Sequence, residues 1–235
     1  MPEPTPKLRI AETFASIQGE GIYVGVPSTF IRVSGCNLRC GWCDTPYASW
    51  NPEGEFFTVE ELADKATDFG VGHVVVTGGE PMLFEPVEAL TRLLARRGHT
   101  ITIETAGTVY REVDCDLMSI SPKLQNSLPP ADSGWRDRHD RARLDIDVLR
   151  RLIRTYPYQL KFVLDPEAGD DVSEIDSILS RLPDVQPQRV LLMPEGTDSE
   201  TLLRRSRLLV GLCMARNWRL TPRMHVDLFG NTKGT

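Results

Sequence analysis

Residues 34–45 read Ser34-Gly35-Cys36-Asn37-Leu38-Arg39-Cys40-Gly41-Trp42-Cys43-Asp44-Thr45, with three cysteines in a Cys-x3-Cys-x2-Cys spacing. An iron–sulfur cube is normally held by four thiolates. Three thiolates this close in sequence can hold three irons and leave the fourth without a protein ligand. An open coordination position is what a metal site needs in order to bind and activate a substrate, as catalytic zinc sites do. A zinc site would want a fourth Cys or His nearby, and this loop has none. Structural disulfides belong to oxidising compartments, and three clustered cysteines leave one odd. The spacing points first to a cube with an open iron, with zinc and unbound thiols as the alternatives.

Upstream, residues 8–17 alternate loosely and read as a strand. It runs into Gln18-Gly19-Glu20-Gly21, which sets an amide and a carboxylate at the strand's end. Gly19, Gly21 and Gly25 let the backbone pass close to a ligand, or simply make a turn. Residues 28–33 are a second strand with Arg32 inside it. A guanidinium in an apolar strand wants an anionic partner, either a structural ion pair or a carboxylate held bidentately.

Downstream, residues 47–57 contain Pro52 and Gly54 and read as a loop or small hairpin. Thr58 and Glu61 form a capping-box pattern, opening a helix that ends near Gly70. Residues 73–77 read as a buried strand ending in Gly78-Gly79-Glu80-Pro81. A glycine pair there exposes backbone at the C-terminal end of a strand, where α/β folds place their sites. Pro86 can open a helix with Val87, Leu90 and Leu94 on one face. Strands follow at 100–104, ending in Thr105-Ala106-Gly107, and at 115–120, ending in Ser121-Pro122-Lys123. Residues 125–143 lack periodicity and read as a long loop, either a lid or a solvated insertion, with His139 solvated. A helix at 145–156, a strand at 159–164 and a helix at 172–182 come next. A strand at 189–193 leads into Pro194-Glu195-Gly196. Thr197 and Glu200 make a second capping box, opening a helix towards Asn217, and a last strand covers about 223–229.

Strands alternating with helices argue for an α/β fold with a parallel sheet. A full eight-fold barrel takes about 250 residues, and this chain has too few helices for one. The expected architecture is a truncated, partly open (β/α) barrel, one domain over 1–235 with a loose N-terminal tail at 1–7.

The chain has 235 residues and a formal net charge of −6, which argues against a nucleic-acid surface. It has no run of about eighteen apolar residues, so no membrane partner is expected. Met1-Pro2-Glu3-Pro4-Thr5-Pro6-Lys7 lacks the apolar core of a signal peptide. A cytoplasmic location is expected, and its reducing poise suits thiolate ligands. Cys115 and Cys213 lie in apolar segments and read as inert buried thiols. Arg204, Arg205 and Arg207 read as a solvated helix face.

The Cys-Asn-Leu-x-Cys wording and the spacing resemble the cluster loop of the radical S-adenosylmethionine (SAM) enzymes, and Thr77-Gly78-Gly79-Glu80-Pro81 resembles their SAM-amine motif. Ile17-Gln18-Gly19-Glu20-Gly21, Gly25-x-Pro27, Phe30-Ile31-Arg32, Cys43-Asp44-Thr45, Glu104-Thr105 and Ser121-Pro122-Lys123 narrow the likeness to the 7-carboxy-7-deazaguanine synthase family. It spans most of the chain; residues 125–143 and the tail match poorly.

The resemblance implies a carbon–nitrogen lyase of 7-deazapurine biosynthesis, of which queuosine formation is a branch. Its substrate would be 6-carboxy-5,6,7,8-tetrahydropterin. A 5′-deoxyadenosyl radical takes a hydrogen from the carbon bearing the carboxylate, the ring contracts, ammonia leaves and SAM is regenerated. Cys36, Cys40 and Cys43 would hold a [4Fe-4S] cluster. Gly78, Gly79, Glu80, Trp42, Asp44, Thr105, Ser121, Pro122, Lys123 and the Met193-Pro194-Glu195-Gly196 segment would meet SAM. Thr45 would bind Mg²⁺, whose preference is for hard oxygen ligands. Ile17, Gln18, Gly19, Glu20 and Thr77 would read the pterin edge and Arg32 its carboxylate, with His225 and Thr235 as further substrate contacts. A flavodoxin or ferredoxin electron donor and a homodimer are implied in the same way. The alternatives are a glycyl-radical-enzyme activase, which uses the same cysteine spacing, and a non-enzymatic metal-binding protein.

Overall fold

The inner and outer faces of the strands explain the fold. In a strand, successive side chains point to opposite faces, and here one set is apolar throughout. Val74 and Val76, Ile101 and Ile103, Met118 and Ile120, Leu160 and Phe162, and Val190 and Leu192 are all buried in one core. The other set is mixed and polar. It includes Phe30, Arg32, Thr77, Glu104, Ser119, Ser121, Lys161 and Met193, which share one cavity.

The computed structural model describes residues 6–235. The strands are β1 (Lys7–Ile17), β2 (Pro27–Val33), β3 (Glu55–Thr58), β4 (His73–Gly78), β5 (Thr100–Thr105), β6 (Leu117–Ile120), β7 (Tyr158–Leu164), β8 (Val190–Pro194) and β9 (Arg219–Leu220). They form one nine-stranded sheet in the order β3-β1-β2-β4-β5-β6-β7-β8-β9. Neighbours from β2 to β9 run parallel, and β1 is antiparallel to both β2 and β3. The two ends do not pair, so the barrel is partial and open. The loose tail expected at 1–7 falls outside the described residues as far as residue 5, and Lys7 already belongs to β1.

The helices are α1 (Pro46–Ser49), α2 (Val59–Asp68), α3 (Pro86–Arg96), α4 (Arg136–Ala142), α5 (Ile146–Thr155), α6 (Asp171–Ser180), α7 (Ser199–Arg216) and α8 (Met224–Phe229). Leu62 and Ala66 of α2, Leu90 and Leu94 of α3, Leu149 and Leu152 of α5, and Ile175 and Ile178 of α6 supply the helical half of the core at three- and four-residue spacings. Thr58 caps α2 in a complete capping box with Glu61.

Four expectations need correction. Residues 223–229 form a helix, not a strand. Met224, Val226 and Leu228 alternate as a strand would, but Pro222 has no N–H for a ladder, and the last backbone bond to β8 is Thr221 N to Leu192 O. Residues 125–143 are not a loop. They carry α4, tied down by polar side chains: His139 is fully buried, and Arg143 bonds Asp140, Glu174 and the Lys123 carbonyl. Polar anchoring leaves no apolar period for a sequence to display. Residues 47–57 end in the edge strand β3, and the helix α7 is capped by Asp198, whose carboxylate accepts from Thr201 N, and not by Thr197.

Candidate active site

The three-cysteine loop follows β2, and its three cysteines open onto a cavity of about 350 Å³ at the C-terminal ends of the parallel strands. Leu38 N–H donates to Cys36 Sγ at 3.3 Å, and Ser49 Oγ lies 3.1 Å from Cys43 Sγ. Burial pushes the Cys36 thiol up to about 12 and Cys40 up to about 11. A cation is what such buried sulfurs need in order to ionise. Among the described residues no three His, Cys, Asp or Glu side chains converge on a single-ion site; a cluster that takes one thiolate per iron does not require them to.

The loop's outer side rests on the 125–143 segment. Gly41 N–H donates to Ser127 O at 2.9 Å. Arg39 N–H donates to His139 Nδ1 at 3.0 Å, and Ser127 Oγ stands 3.0 Å from Nε2. The histidine expected in solvent is thus a buried strut under the cysteines. Burial lowers it to about 4.

Gly78 and Gly79 are required by packing. A Cβ on Gly78 would lie 2.2 Å from Val33 O, and one on Gly79 would lie 2.1 Å from Gly35 O. The β4 end is thereby clamped to the start of the cluster loop, with Gly79 N donating to Val33 O and Glu80 N to Gly35 O, both at 2.9 Å. Glu80 itself does not reach the cavity. It is fully buried, and its carboxylate accepts from Thr105 Oγ1 (2.7 Å), Ala106 N (2.8 Å) and Met82 N (3.1 Å). Its side chain orders the β4 and β5 ends, with both carboxylate oxygens already accepting from the protein.

Of the other residues expected to meet SAM, Trp42, Asp44, Thr105, Ser121, Lys123 and Met193 line the cavity. Lys123 Nζ donates to Ser121 Oγ at 2.9 Å and stands over the Trp42 ring. Pro122, Pro194, Glu195 and Gly196 do not line it. Pro194 ends β8, Glu195 N bonds Leu164 O, and Gly196 O is taken by Arg223.

Across the cavity stand Ile17, Gln18, Gly19 and Glu20. Gln18 is buried, its amide donating to Glu104 Oε1 (3.2 Å) and accepting from Glu20 N (3.0 Å). A Cβ on Gly19 would lie 2.1 Å from His225 Nδ1, so glycine lets α8 pack on the turn. Glu20 is half-buried between Lys161, which bonds Oε2, and Arg223, 3.1 Å from Oε1. Burial acts to raise its carboxyl; Lys161, Arg223 and His225 outweigh that and hold it far below the usual range. Burial also lowers His225, against the pull of the Glu20 carboxylate.

Arg32 lines the cavity too. Its Nε donates to Glu12 Oε1 at 2.5 Å, and Tyr47 Oη donates to the same oxygen at 2.6 Å. Both readings of Arg32 are compatible with this, since one edge is ion-paired and the Nη groups make no hydrogen bond among the described residues. Thr77 donates to Glu104 Oε2 at 2.7 Å. Thr45 sits at the start of α1 without capping it; its hydroxyl has only Cys43 Sγ, at 3.8 Å. Thr235 lines the cavity with Asn231, Thr232 and Lys233.

Lys161, Arg223, Glu12 and Tyr47 escaped the sequence reading. Lys161 carries the signal that flagged Arg32, a cation inside an apolar strand. Arg223 carries none, because the segment around it reads as a strand.

The Radical SAM superfamily model matches residues 30–127. The chain is 44% identical to the 7-carboxy-7-deazaguanine synthase of Rhodopirellula baltica, over 97% of this chain and 89% of that one. It is 41% identical to the enzyme of the same name from Halobacterium salinarum, over 98% and 93%. The crystal structure of QueE from Escherichia coli superposes with a TM-score of 0.69 at 29% identity, covering 92% of this chain and 93% of that one. With its cysteines, glycine pair and Gln-Gly-Glu-Gly turn gathered at one end of an open parallel barrel, the chain belongs to the 7-carboxy-7-deazaguanine synthase family of the radical SAM superfamily.

Proposed function

We propose that this chain converts 6-carboxy-5,6,7,8-tetrahydropterin to 7-carboxy-7-deazaguanine and ammonia. One observation carries the reading. The three-cysteine loop and the Gln18-Gly19-Glu20 turn open onto the same cavity, in a chain 44% identical to a 7-carboxy-7-deazaguanine synthase. The conversion loses one ammonia with no net oxidation or reduction. It needs a hydrogen taken from the substrate and later returned, not a stoichiometric oxidant.

Cys36, Cys40 and Cys43 fit a [4Fe-4S] cluster with one open iron: three thiols reach the cavity and the loop offers no fourth. Backbone at Gly78 and Gly79, with Ser121, Lys123 and Met193, would border SAM. Bound there, the cluster and SAM would supply the radical that takes the substrate hydrogen. Glu20, kept ionised by its two cations, accepts from the amine and amide N–H groups of the pterin edge. Arg32 turns its free Nη edge to the substrate carboxylate, with Glu12 and Tyr47 fixing the guanidinium. Thr45, whose hydroxyl is not spent on a helix cap, offers Mg²⁺ a hard oxygen. The rest of the proposal rests on family likeness: a flavodoxin or ferredoxin as electron donor, a homodimer, and one domain working in the cytoplasm. No helix among the described residues is long and apolar enough to cross a membrane.

Anaerobic reconstitution followed by SAM, reductant, Mg²⁺ and 6-carboxytetrahydropterin tests this. Mass spectrometry should find 7-carboxy-7-deazaguanine. SAM cleavage without that product would move the substrate elsewhere, and the activase reading would then regain ground.

A further inference from the structure

We infer that Arg223 is a positioning residue that locks the 18–21 turn to the loop carrying Cys43. The inference rests on the proposed function, since that is what gives the two segments their roles. The Arg223 side chain is only 7% exposed, and all three of its guanidinium nitrogens are used. Nε meets Glu20 Oε1 at 3.1 Å, Nη1 donates to Gly196 O at 2.6 Å, and Nη2 pairs with the Asp44 carboxylate.

These partners lie on three different segments. Glu20 follows β1, Asp44 follows Cys43 directly, and Gly196 follows β8. Among the described residues no backbone hydrogen bond joins the 18–21 turn to the 36–45 loop. Arg223 is therefore the bridge between the residue proposed to read the substrate and the residue next to a cluster thiolate. A planar fork with fixed donor directions does this where a lysine, a single point charge, would not. Lys161 braces the other oxygen of Glu20 and, among the described residues, makes no hydrogen bond to the cysteine loop, so the two cations have separable roles. Reaction between two bound partners is sensitive to their relative placement, and a shift of about 1 Å costs about 100-fold.

The test compares wild type with Arg223→Lys, Asp44→Asn and Lys161→Met, each anaerobically reconstituted. Amide hydrogen–deuterium exchange is read first. Arg223→Lys and Asp44→Asn should each speed exchange in both the 18–21 and 40–45 segments. Lys161→Met should leave 40–45 at the wild-type rate. Turnover is read second. Arg223→Lys should keep its iron and its substrate-free SAM cleavage within about twofold. Its kcat for product should fall about 100-fold with KM little changed, and SAM consumed per product should rise about tenfold or more. Unchanged exchange, exchange raised in one segment alone, or equal losses of iron, SAM cleavage and product would overturn the inference. If Arg223→Lys does not fold, Asp44→Asn removes one arm and is judged on the exchange of the two segments alone. Wild type that makes no deazapurine while the exchange pattern holds would sink the substrate reading and still support the lock.

Discussion

Arg32 and Tyr47 meet on one oxygen of Glu12, which fixes the guanidinium at the cavity wall. The Arg32 Nε edge is spent on Glu12, and its Nη groups make no hydrogen bond among the described residues. A charge-assisted hydrogen bond to a buried carboxylate is worth about 1.5–3 kcal/mol. Arg32→Ala should therefore cut product formation at limiting substrate by roughly 10- to 100-fold while substrate-free SAM cleavage survives. Arg32→Lys should recover only part, since the fork is lost. Steady-state kinetics and 5′-deoxyadenosine release distinguish this from the purely structural role, in which both activities fall together. Lys161 has the same kind of sequence setting, a cation among Gln159, Leu160, Phe162 and Val163. Its partner Glu20 lies 141 positions away, and nothing in a linear reading pairs them.

Elements were legible where their interactions are local. The Thr58–Glu61 box, the Val87, Leu90 and Leu94 face and the aliphatic run of β4 each announce themselves within a few residues. The segment at 125–143 and the helix α8 do not, because they are held by His139, Arg143 and Arg223 reaching distant partners. The glycine pair was legible as a special point, but its reason was not. It lets β4 touch the cluster loop's backbone. Gly79→Ala would force a Cβ to 2.1 Å from the Gly35 carbonyl and 2.7 Å from Ala48 O. It should cost about 3 kcal/mol or more, against about 1 kcal/mol for the cap loss in Thr58→Ala; urea unfolding midpoints of the two variants decide.

The His139 strut gives an element-scale pH dependence. Its Nδ1 accepts the Arg39 N–H, so the ring must stay neutral. Burial holds its folded pKa near 4, below the ordinary 6.5 of the unfolded chain. Between those values the unfolded chain takes up a proton that the native one refuses, so stability falls as pH drops from 6.5 towards 4. His139→Gln should flatten that part of the stability–pH curve while being less stable at pH 7. A wild-type slope retained in the variant would assign the pH dependence to other groups.

At the scale of the molecule, an open barrel needs something other than a ladder to hold its ends. The sheet ends at β3 on one side and β9 on the other. Past β9, Met224 N bonds Gly19 O, Arg223 reaches Glu20 and Asp44, and the tail carries Lys233 to 3.6 Å from Glu53, just before β3. Polar contacts thus span the gap and border the cavity at once. The parallel, truncated barrel was legible because strand and helix patterns alternate. The closing contacts were not, since they join residues from the two ends of the chain.

With SAM and substrate both bound in this cavity, a hydrogen would leave the carbon bearing the substrate carboxylate and pass to SAM's adenosyl carbon. The most direct measurement uses 6-carboxytetrahydropterin deuterated at that carbon, incubated anaerobically with the reconstituted protein, SAM, reductant and Mg²⁺. Mass spectrometry should find deuterium in the recovered SAM alongside 7-carboxy-7-deazaguanine. Product formed with no label in SAM or 5′-deoxyadenosine would contradict the account.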